Sequence, residues 1–350
     1  MRVRAIGWIL LGYCMSGTAV EGADYAKAPA DERLERHEFE SKHMGTLFRV
    51  VLYTADKATA ETASRAAFAR VAELDAIMSD YNPNSELMRL CKANDTAPGK
   101  PAAVGAELFD VLQKAQITSK ISGGSFDVTV GPVVRLWRLA RRTQQLPDAK
   151  ELAAALAKVG YEKIALDPAA RTVALKVPGM RLDLGGIAKG YAADAALALL
   201  KEKFGITRAL VAASGDIACG DAPPGKEGWS VDIAPISKNR KPRTLTLVNR
   251  AVSTSGDLEQ FVEINGVRYS HVLDPKTGLG LTGRRSVTVI APKGVQADSL
   301  TKAASVLPPA KALAVIDAID GAATYIVVKD SDDADEQVTT SKRFVGYLAK

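Results

Sequence analysis

The chain has 350 residues, of which 47% are hydrophobic and 25% charged, a balance that excludes a disordered chain and a disulfide-held miniprotein. Its formal charge is +6, and the basic excess is spread thinly, which suits an anionic ligand but not a nucleic-acid-binding protein. No apolar run reaches the roughly 18 residues of a membrane-spanning helix, so we expect none in the mature chain.

The first 22 residues have the order of a secretory signal peptide. Arg2 and Arg4 give a positive start, residues 5–15 are apolar, and small residues follow. We expect cleavage after Ala19 or Gly22 and a soluble periplasmic protein; cleavage after Gly22 leaves a charge of +5. A buried first helix is the alternative.

The three cysteines give no clear sign of a lipid anchor, a metal site or a disulfide bond. Cys14 lies in the apolar segment, but the bulky Tyr13 precedes it where a lipoprotein signal needs a small residue, so we expect no lipid anchor. Cys91 and Cys219 have neither a C-x-x-C nor a zinc spacing, and a disulfide between them stays open.

Hydrophobic periodicity predicts the elements in chain order, after a polar leader at residues 23–40. We expect helices at 58–79, 109–121, 146–160, 191–203, 299–306 and 310–319, and an apolar, basic segment at 128–142. Strands are expected at 44–54, 164–166, 172–175, 181–184, 209–213, 229–233, 243–248, 252–254, 261–264, 286–290 and 323–328. The mixture predicts one α+β (mixed α/β) domain over residues 41–350, without internal repeats.

Five polar or glycine-rich segments interrupt these elements. In MSDYNPNSEL, Tyr81 can stack on a planar heterocycle or pack over a helix end. In SGGSFDVTVGP, Gly123 and Gly124 allow a ligand close to the backbone, while Asp127 can either contact it or cap a turn.

The other three segments carry charge. LDLGGIAKGYAAD predicts a strand, a glycine loop and a helix, which exposes N–H groups to phosphate beside Lys189; it matches neither a Walker A nor a G-x-G-x-x-G motif, and an ordinary turn is the alternative. His271 and Asp274 in YSHVLDPKTG suit general-base catalysis or a structural role. Asp298, predicted at a helix N-terminus, can cap the helix or bind a hard cation.

Taken in order, these segments resemble the ApbE family of FAD:protein FMN transferases. The resemblance runs from about residue 44 to 347 and rests on MGT, MSDYNPNSEL, SFDVTVGPVVRLW, DLGGIAKGYAAD, SGDI, STSGD, YSHVLDPKTG and the AD of ADSLTKA. It implies mixed sheets flanked by helices, in two lobes around one FAD cleft.

The resemblance also implies an exported, Mg²⁺-dependent enzyme. Such an enzyme cleaves the FAD pyrophosphate, attaches FMN by a phosphoester bond to a Thr or Ser of a partner flavoprotein and releases AMP; some relatives hydrolyse FAD to FMN and AMP instead. The FAD contacts carried over are Met44, Tyr81, Ser125, Phe126, Asp127, Asp183, Lys189 and the backbone of Val272. The carbonyl of Gly186 and the carboxylate of Asp298 would bind the metal, and His271 would take the proton of the acceptor hydroxyl.

One position departs from the family pattern A-D-A-x-x-T, whose threonine is a metal ligand. Lys302 stands there, with Thr301 one residue earlier, and an ammonium group cannot ligate Mg²⁺. Thr301 can reach the ion if the helix rotates slightly, or Lys302 places its own charge near the pyrophosphate and weakens metal dependence. We predict a Mg²⁺ affinity below that of the family, and a periplasmic FAD-binding protein with poor catalysis remains the alternative.

Overall fold

The computed structural model describes residues 34–233, 235–236, 242–256, 261–329 and 334–349, so the predicted signal peptide lies outside the described residues. The helices are α1 Lys57–Met78, α2 Glu86–Thr96, α3 Ala106–Ile121, α4 Gly131–Thr143, α5 Ala149–Leu156, α6 Ala188–Phe204, α7 Gly294–Val306 and α8 Pro309–Asp317. The strands are β1 Glu35–His43, β2 Thr46–Thr54, β3 Ala102–Ala103, β4 Ile164–Asp167, β5 Thr172–Leu175, β6 Ala209–Ala213, β7 Asp216–Cys219, β8 Trp229–Ile233, β9 Arg243–Leu247, β10 Arg250–Gly256, β11 Phe261–Ile264, β12 Val267–Ser270, β13 Arg284–Ala291, β14 Ala323–Lys329 and β15 Gln337–Thr340.

An eight-stranded antiparallel sheet, in the order β1-β2-β6-β7-β10-β13-β14-β15, is the centre of the fold. Because side chains alternate along a strand, it has two apolar faces. On β2, Val50 and Leu52 face α1 and α6, whereas Val51 faces the β8–β9 hairpin and Phe344. The α7–α8 pair covers the β13–β14 end. The predicted mixed α/β fold is confirmed.

A smaller apolar cluster joins α4, α5 and the β11–β12 hairpin, and it anchors the segment 269–278. The indole Nε1 of Trp137 donates a hydrogen bond of 2.7 Å to the carbonyl oxygen of Gly278. Its ring centroid lies 5.2 Å from that of Tyr269. The conformation of the loop that carries His271 is therefore tied to α4.

The polar leader predicted at residues 23–40 needs a correction at its end. Residues 35–40 belong to β1, which pairs with β2 at the sheet edge. β1 reads ERHEFESKH, and its exposed and half-buried side chains include few apolar ones, so apolar alternation could not reveal it. Charge holds it instead, since Arg49 on β2 lies 2.7 Å from Glu40 and 3.1 Å from Glu38.

Two further elements differ from the sequence prediction. The expected strand at 181–184 pairs with no named strand, and its Asp183 N–H instead donates to the Val128 carbonyl at 2.8 Å. The helix α2 was not predicted, although Ser85 caps it by accepting the Met88 N–H at 3.0 Å. This helix directly follows the turn that contains Tyr81, and the Asn and Pro residues of that turn favoured a loop.

The two cysteines in the described residues are buried free thiols, so the open question of a disulfide is settled against one. Cys91 packs in the α1–α6 core and Cys219 on the opposite face of the sheet. Burial raises the pKa of both thiols. Within the described residues, no helix combines the length and apolarity needed to cross a bilayer.

Candidate functional site

The candidate site is built around the crossing of α6 and α7, which two glycines permit. A Cβ atom added at Gly190 would lie 2.1 Å from the carbonyl oxygen of Gly294. Further along α6, Asp194 accepts the first N–H groups of α7, at 2.7 Å from Gly294 and 3.0 Å from Val295. Asp298 therefore lies in the second turn of α7, which corrects the prediction that it stands at the helix N-terminus.

We expect Gly190→Ala to destabilise the protein by about 1–3 kcal/mol, because the added methyl group forces the two helices apart. In an exposed helix the same change is stabilising by up to about 1 kcal/mol, so the sign itself is diagnostic. Urea-induced unfolding measures the effect. Gly346→Ala is the control, since an added Cβ there meets no atom within 4 Å. Equal stability of the two variants would contradict a tight crossing.

Four charged side chains meet at this crossing, and we call Lys189, Asp216, Asp298 and Lys302 the charge cluster. The Lys189 ammonium lies 3.2 Å from an Asp216 oxygen and 3.7 Å from Asp298 Oδ2, and the Lys302 ammonium lies 3.3 Å from Asp298 Oδ1. Asp298 is fully buried and Asp216 nearly so, while each lysine side chain is 20% exposed. The two ammonium groups thus balance the charges of the two buried carboxylates.

Hydrogen bonds fix the carboxylates of the charge cluster. Asp298 Oδ2 accepts the Gly190 N–H at 3.2 Å, and Asp216 Oδ1 accepts the Ser253 hydroxyl at 2.6 Å. Asp298 Oδ1 is buried without a hydrogen-bond donor, and its closest recorded partner is the Lys302 ammonium. The Thr301 hydroxyl is directed at the carbonyls of Ala297 and Ser253.

Mutual attraction sets the ionisation of the charge cluster. Burial alone would lower the pKa of Lys189, but Asp216 and Asp298 outweigh it and raise that pKa above its usual range. Burial would raise the pKa of Asp216, yet Lys189 and Lys302 hold it below its usual range. Burial and the nearby Asp216 raise the pKa of Asp298 in spite of the two lysines. Lys189 is therefore a permanent positive charge at the start of α6.

The glycine loop before α6 links the charge cluster to its neighbours. Gly185 donates its N–H to Asp183 Oδ1 at 2.8 Å, and its carbonyl accepts the Lys189 ammonium at 2.9 Å. A Cβ at Gly186 would lie 3.0 Å from Lys302 Cγ and 3.4 Å from a Phe126 ring carbon. The structure thus places Gly186 against Lys302 and Phe126, and Gly185 links Asp183 to Lys189, which in turn contacts Asp298.

An aromatic side chain stands beside this loop. Tyr81 is 75% exposed, and the Arg138 guanidinium lies 4.0 Å from the centre of its ring. Arg138 also lies 2.6 Å from Asp80 and 3.3 Å from Asp183. Burial, followed by the charge of Asp80, raises the pKa of Asp183. Arg138 therefore connects the exposed ring to the glycine loop.

Ser125, Phe126 and Asp127 are all buried in a turn between α3 and α4. The preceding Gly123 and Gly124 have positive φ angles of 59° and 79°. Asp127 Oδ1 accepts the N–H and the hydroxyl of Thr129, at 2.8 and 2.7 Å, so its carboxylate caps the short 3₁₀ turn at Val128–Val130. Burial raises the pKa of Asp127. Of the two roles left open for Asp127, the structure shows the cap.

Met44 and the segment around His271 occupy separate turns. Met44 lies in the tight β1–β2 turn with a φ of 48°, a value that costs energy for a residue with a side chain, and its N–H donates to Asp75 at 2.9 Å. In the other loop, Val272 is buried and its N–H donates to the Ser270 hydroxyl at 3.1 Å. The Val272 carbonyl accepts the Leu281 N–H at 3.0 Å, and His271 beside it is partly exposed.

Two residues of this arrangement received no role in the sequence analysis. Asp216 lies in the SGDI segment, which was part of the family resemblance, and Arg138 directly follows the segment SFDVTVGPVVRLW. A carboxylate that begins a buried strand was the available signal for Asp216, because such a group needs a charged partner. Arg138 carried no comparable signal, since basic residues surround it on α4.

The chain is similar in sequence to proteins of one known family. A model of the ApbE family matches residues 44–326. A protein named FAD:protein FMN transferase from Klebsiella pneumoniae (strain 342) is 33% identical over 330 residues, which are 92% of this chain and 92% of that protein. A protein of the same name from Escherichia coli (strain K12) is 33% identical over 322 residues, 89% of this chain and 90% of its own.

Solved structures agree with these matches. The flavin transferase ApbE from Vibrio cholerae superposes with a TM-score of 0.79 at 28% identity, covering 90% of this chain and 100% of that one. The apo form of the Pseudomonas stutzeri flavinyl transferase ApbE gives a TM-score of 0.78 at 28% identity, covering 91% and 98%. Because the family model and the relatives match most of its length, the chain belongs to the ApbE family.

Proposed function

We propose that this chain is an FAD:protein FMN transferase, which moves FMN from FAD to a Thr or Ser hydroxyl of a partner flavoprotein and releases AMP. The observation that carries the proposal is that Arg138 joins the exposed Tyr81 ring to Asp183, next to the glycine loop whose Gly185 carbonyl binds Lys189. An exposed ring suits a flavin or adenine face, and Lys189 with the loop suits a pyrophosphate. Curated relatives over most of this chain's length bear the name of this activity.

The transfer is a displacement at the phosphorus atom of the FMN half. The acceptor hydroxyl oxygen forms the new P–O bond, the P–O bond to AMP breaks, and AMP leaves with the bridging oxygen. Lys189, held at the first turn of α6 by Gly185, Asp216 and Asp298, faces the negative charge of the phosphoryl oxygens. An imidazole nitrogen of His271 takes the proton of the attacking hydroxyl.

The family resemblance also predicts Mg²⁺ at Gly186, Asp298 and Thr301, and the described residues do not fit this ion. Asp298 is already engaged by two ammonium groups, and Lys302 occupies the space next to Gly186. The Thr301 hydroxyl is directed at two backbone carbonyls. The described residues also hold no cluster of three or more His, Cys, Asp or Glu side chains arranged around a metal position. No step of the transfer is therefore assigned to Mg²⁺.

Export to the periplasm completes the proposal, because residues 1–22 have the charge and apolar order of a signal peptide. We expect the mature chain recovered from the periplasm to begin after Ala19 or Gly22, which intact-mass measurement checks. A chain that retains Met1 in that fraction would contradict cleavage.

The activity is tested by incubating the mature chain with FAD and an acceptor domain of a flavoprotein. We expect the acceptor band to fluoresce under ultraviolet light in a denaturing gel, with AMP released in equal amount. A matched acceptor with its target Thr replaced by Ala must stay dark. AMP release without a labelled acceptor would show FAD hydrolysis instead. Retained yellow colour with neither product would show FAD binding alone.

A further inference from the structure

We propose that the Lys302 ammonium takes the place of the divalent cation in this chain, so that the site binds the pyrophosphate of FAD free of metal. The proposal rests on the proposed function for the identity of the ligand. It extends that function by assigning the cation to a side chain and the substrate to the metal-free form of a dinucleotide pyrophosphate.

The first support is the place that Lys302 occupies. A Cβ atom added to Gly186 would lie 3.0 Å from the Cγ atom of Lys302. The Lys302 ammonium lies 3.3 Å from Asp298 Oδ1. Gly186 and Asp298 are the two residues through which the family resemblance predicts metal binding. The lysine therefore lies against both residues that the family resemblance assigns to the metal.

The second support is the hydrogen-bonding state of Asp298. Its Oδ1 atom is fully buried and accepts no hydrogen bond, while Oδ2 accepts the Gly190 N–H at 3.2 Å. A buried carboxyl oxygen without a hydrogen-bond donor is stabilised by a cation next to it. The only cation recorded within 4.0 Å of Oδ1 among the described residues is Lys302. Its spacing of four residues along α7 brings the two side chains to the same helix face.

The third support is the charge balance. Lys189 and Lys302 together neutralise Asp216 and Asp298, so a Mg²⁺ ion would add two positive charges beside two ammonium groups. Neither ammonium can become a ligand, because –NH₃⁺ has only donors. A pyrophosphate, in contrast, brings two negative charges to a place where each lysine side chain keeps 20% of its surface exposed. A pyrophosphate can accept hydrogen bonds from both ammonium groups, whereas a Mg²⁺ ion cannot use either of them as a ligand.

The test measures FAD binding separately from transfer, by quenching of flavin fluorescence in EDTA and in MgCl₂. We expect the affinity of the wild type to differ less than about 2-fold between the two conditions. Lys302→Thr, which restores the family residue, is expected to bind at least about 10-fold more weakly in EDTA and to recover in MgCl₂. Lys302→Met is expected to lose a similar factor in FAD affinity in EDTA and not to regain it in MgCl₂.

Lys311→Thr, an exposed lysine on α8, is the control and should behave as the wild type. Circular dichroism verifies that each variant is folded. If a variant is unfolded, the FAD affinity of the wild type in EDTA and in MgCl₂ still tests the proposal. A wild-type affinity that rises about 10-fold or more with Mg²⁺ would overturn the proposal, as would full binding by Lys302→Thr in EDTA. Metal-independent binding without labelled acceptor would leave the proposal standing and refute only the transferase function. Failure to bind FAD in either condition would refute both.

Discussion

Asp216→Asn is expected to lower the free energy of unfolding by about 3–5 kcal/mol, the usual cost of removing one partner from a buried ion pair. Asp216 is 5% exposed and lies 3.2 Å from the Lys189 ammonium. Asparagine keeps the size of the side chain but leaves Lys189 and Lys302 with Asp298 as their one remaining carboxylate in the charge cluster. Urea-induced unfolding at neutral pH measures the loss.

The matched control is Asp232→Asn. Asp232 on β8 also accepts a hydroxyl hydrogen bond from a neighbouring strand, 2.7 Å from Thr244, but it is exposed, so we expect a change within about 0.5 kcal/mol. The double variant Asp216→Asn/Lys302→Met removes one charge of each sign and is expected to recover part of the loss. A loss no larger than that of Asp232→Asn would show that the charge cluster does not stabilise the fold.

The stabilisation by Asp216 has a defined pH dependence. Its pKa is lowered in the folded state from 3.8, so its contribution is complete above that value and disappears as the pH falls through the folded pKa. The difference in stability between wild type and Asp216→Asn is therefore expected to stay constant near neutral pH and to narrow only in acid. A difference that narrows toward alkaline pH instead would assign the effect to another group.

His271→Ala is expected to slow flavin transfer by about 10²–10⁴-fold, the usual contribution of a general base. FAD affinity should change little, because the loop is held by the Trp137–Gly278 hydrogen bond and by the backbone bonds of Val272 rather than by the imidazole alone. Single-turnover labelling of the acceptor gives the rate, and flavin fluorescence quenching gives the affinity. A normal transfer rate in this variant would remove His271 from the mechanism.

His37→Ala serves as the control for the loss of an imidazole. His37 lies in β1, the edge strand of the main sheet, and has no place in the proposed mechanism. We expect its transfer rate to equal that of the wild type. If both variants lose the same factor, the loss reflects folding and not proton transfer.

Long apolar periodicity made several elements predictable from the sequence. The helix expected at 58–79 is α1, and the strand expected at 209–213 is β6 with the same bounds. Prediction failed where the stabilising contact lies elsewhere in the chain. The helix expected at 299–306 begins at Gly294, because its first N–H groups are accepted by Asp194 of α6, a cap that no local pattern displays.

The candidate site likewise contains parts that the local sequence predicts and parts that depend on contacts between distant residues. Its turns were visible because glycine, proline and asparagine mark them, and the family resemblance assigned residues to them. The charge cluster was not visible as a unit, since Lys189, Asp216 and Lys302 belong to three elements that are separated in the sequence and meet in the folded structure. Whether Asp127 contacts a ligand or caps a turn also depended on where Thr129 points, which its position in the sequence does not determine.

The α6–α7 crossing determines how much of the chain is needed to complete the candidate site. Gly190 and Asp298 are in contact although 108 residues separate them along the chain. Closing a loop of that length costs entropy, so this contact has to be stabilised by the helices and strands packed around it. A chain cut before α7 keeps Asp216 as a partner for Lys189 but has neither Asp298 nor Lys302. The complete charge cluster, and with it the proposed pyrophosphate site, therefore requires a chain that extends through α7.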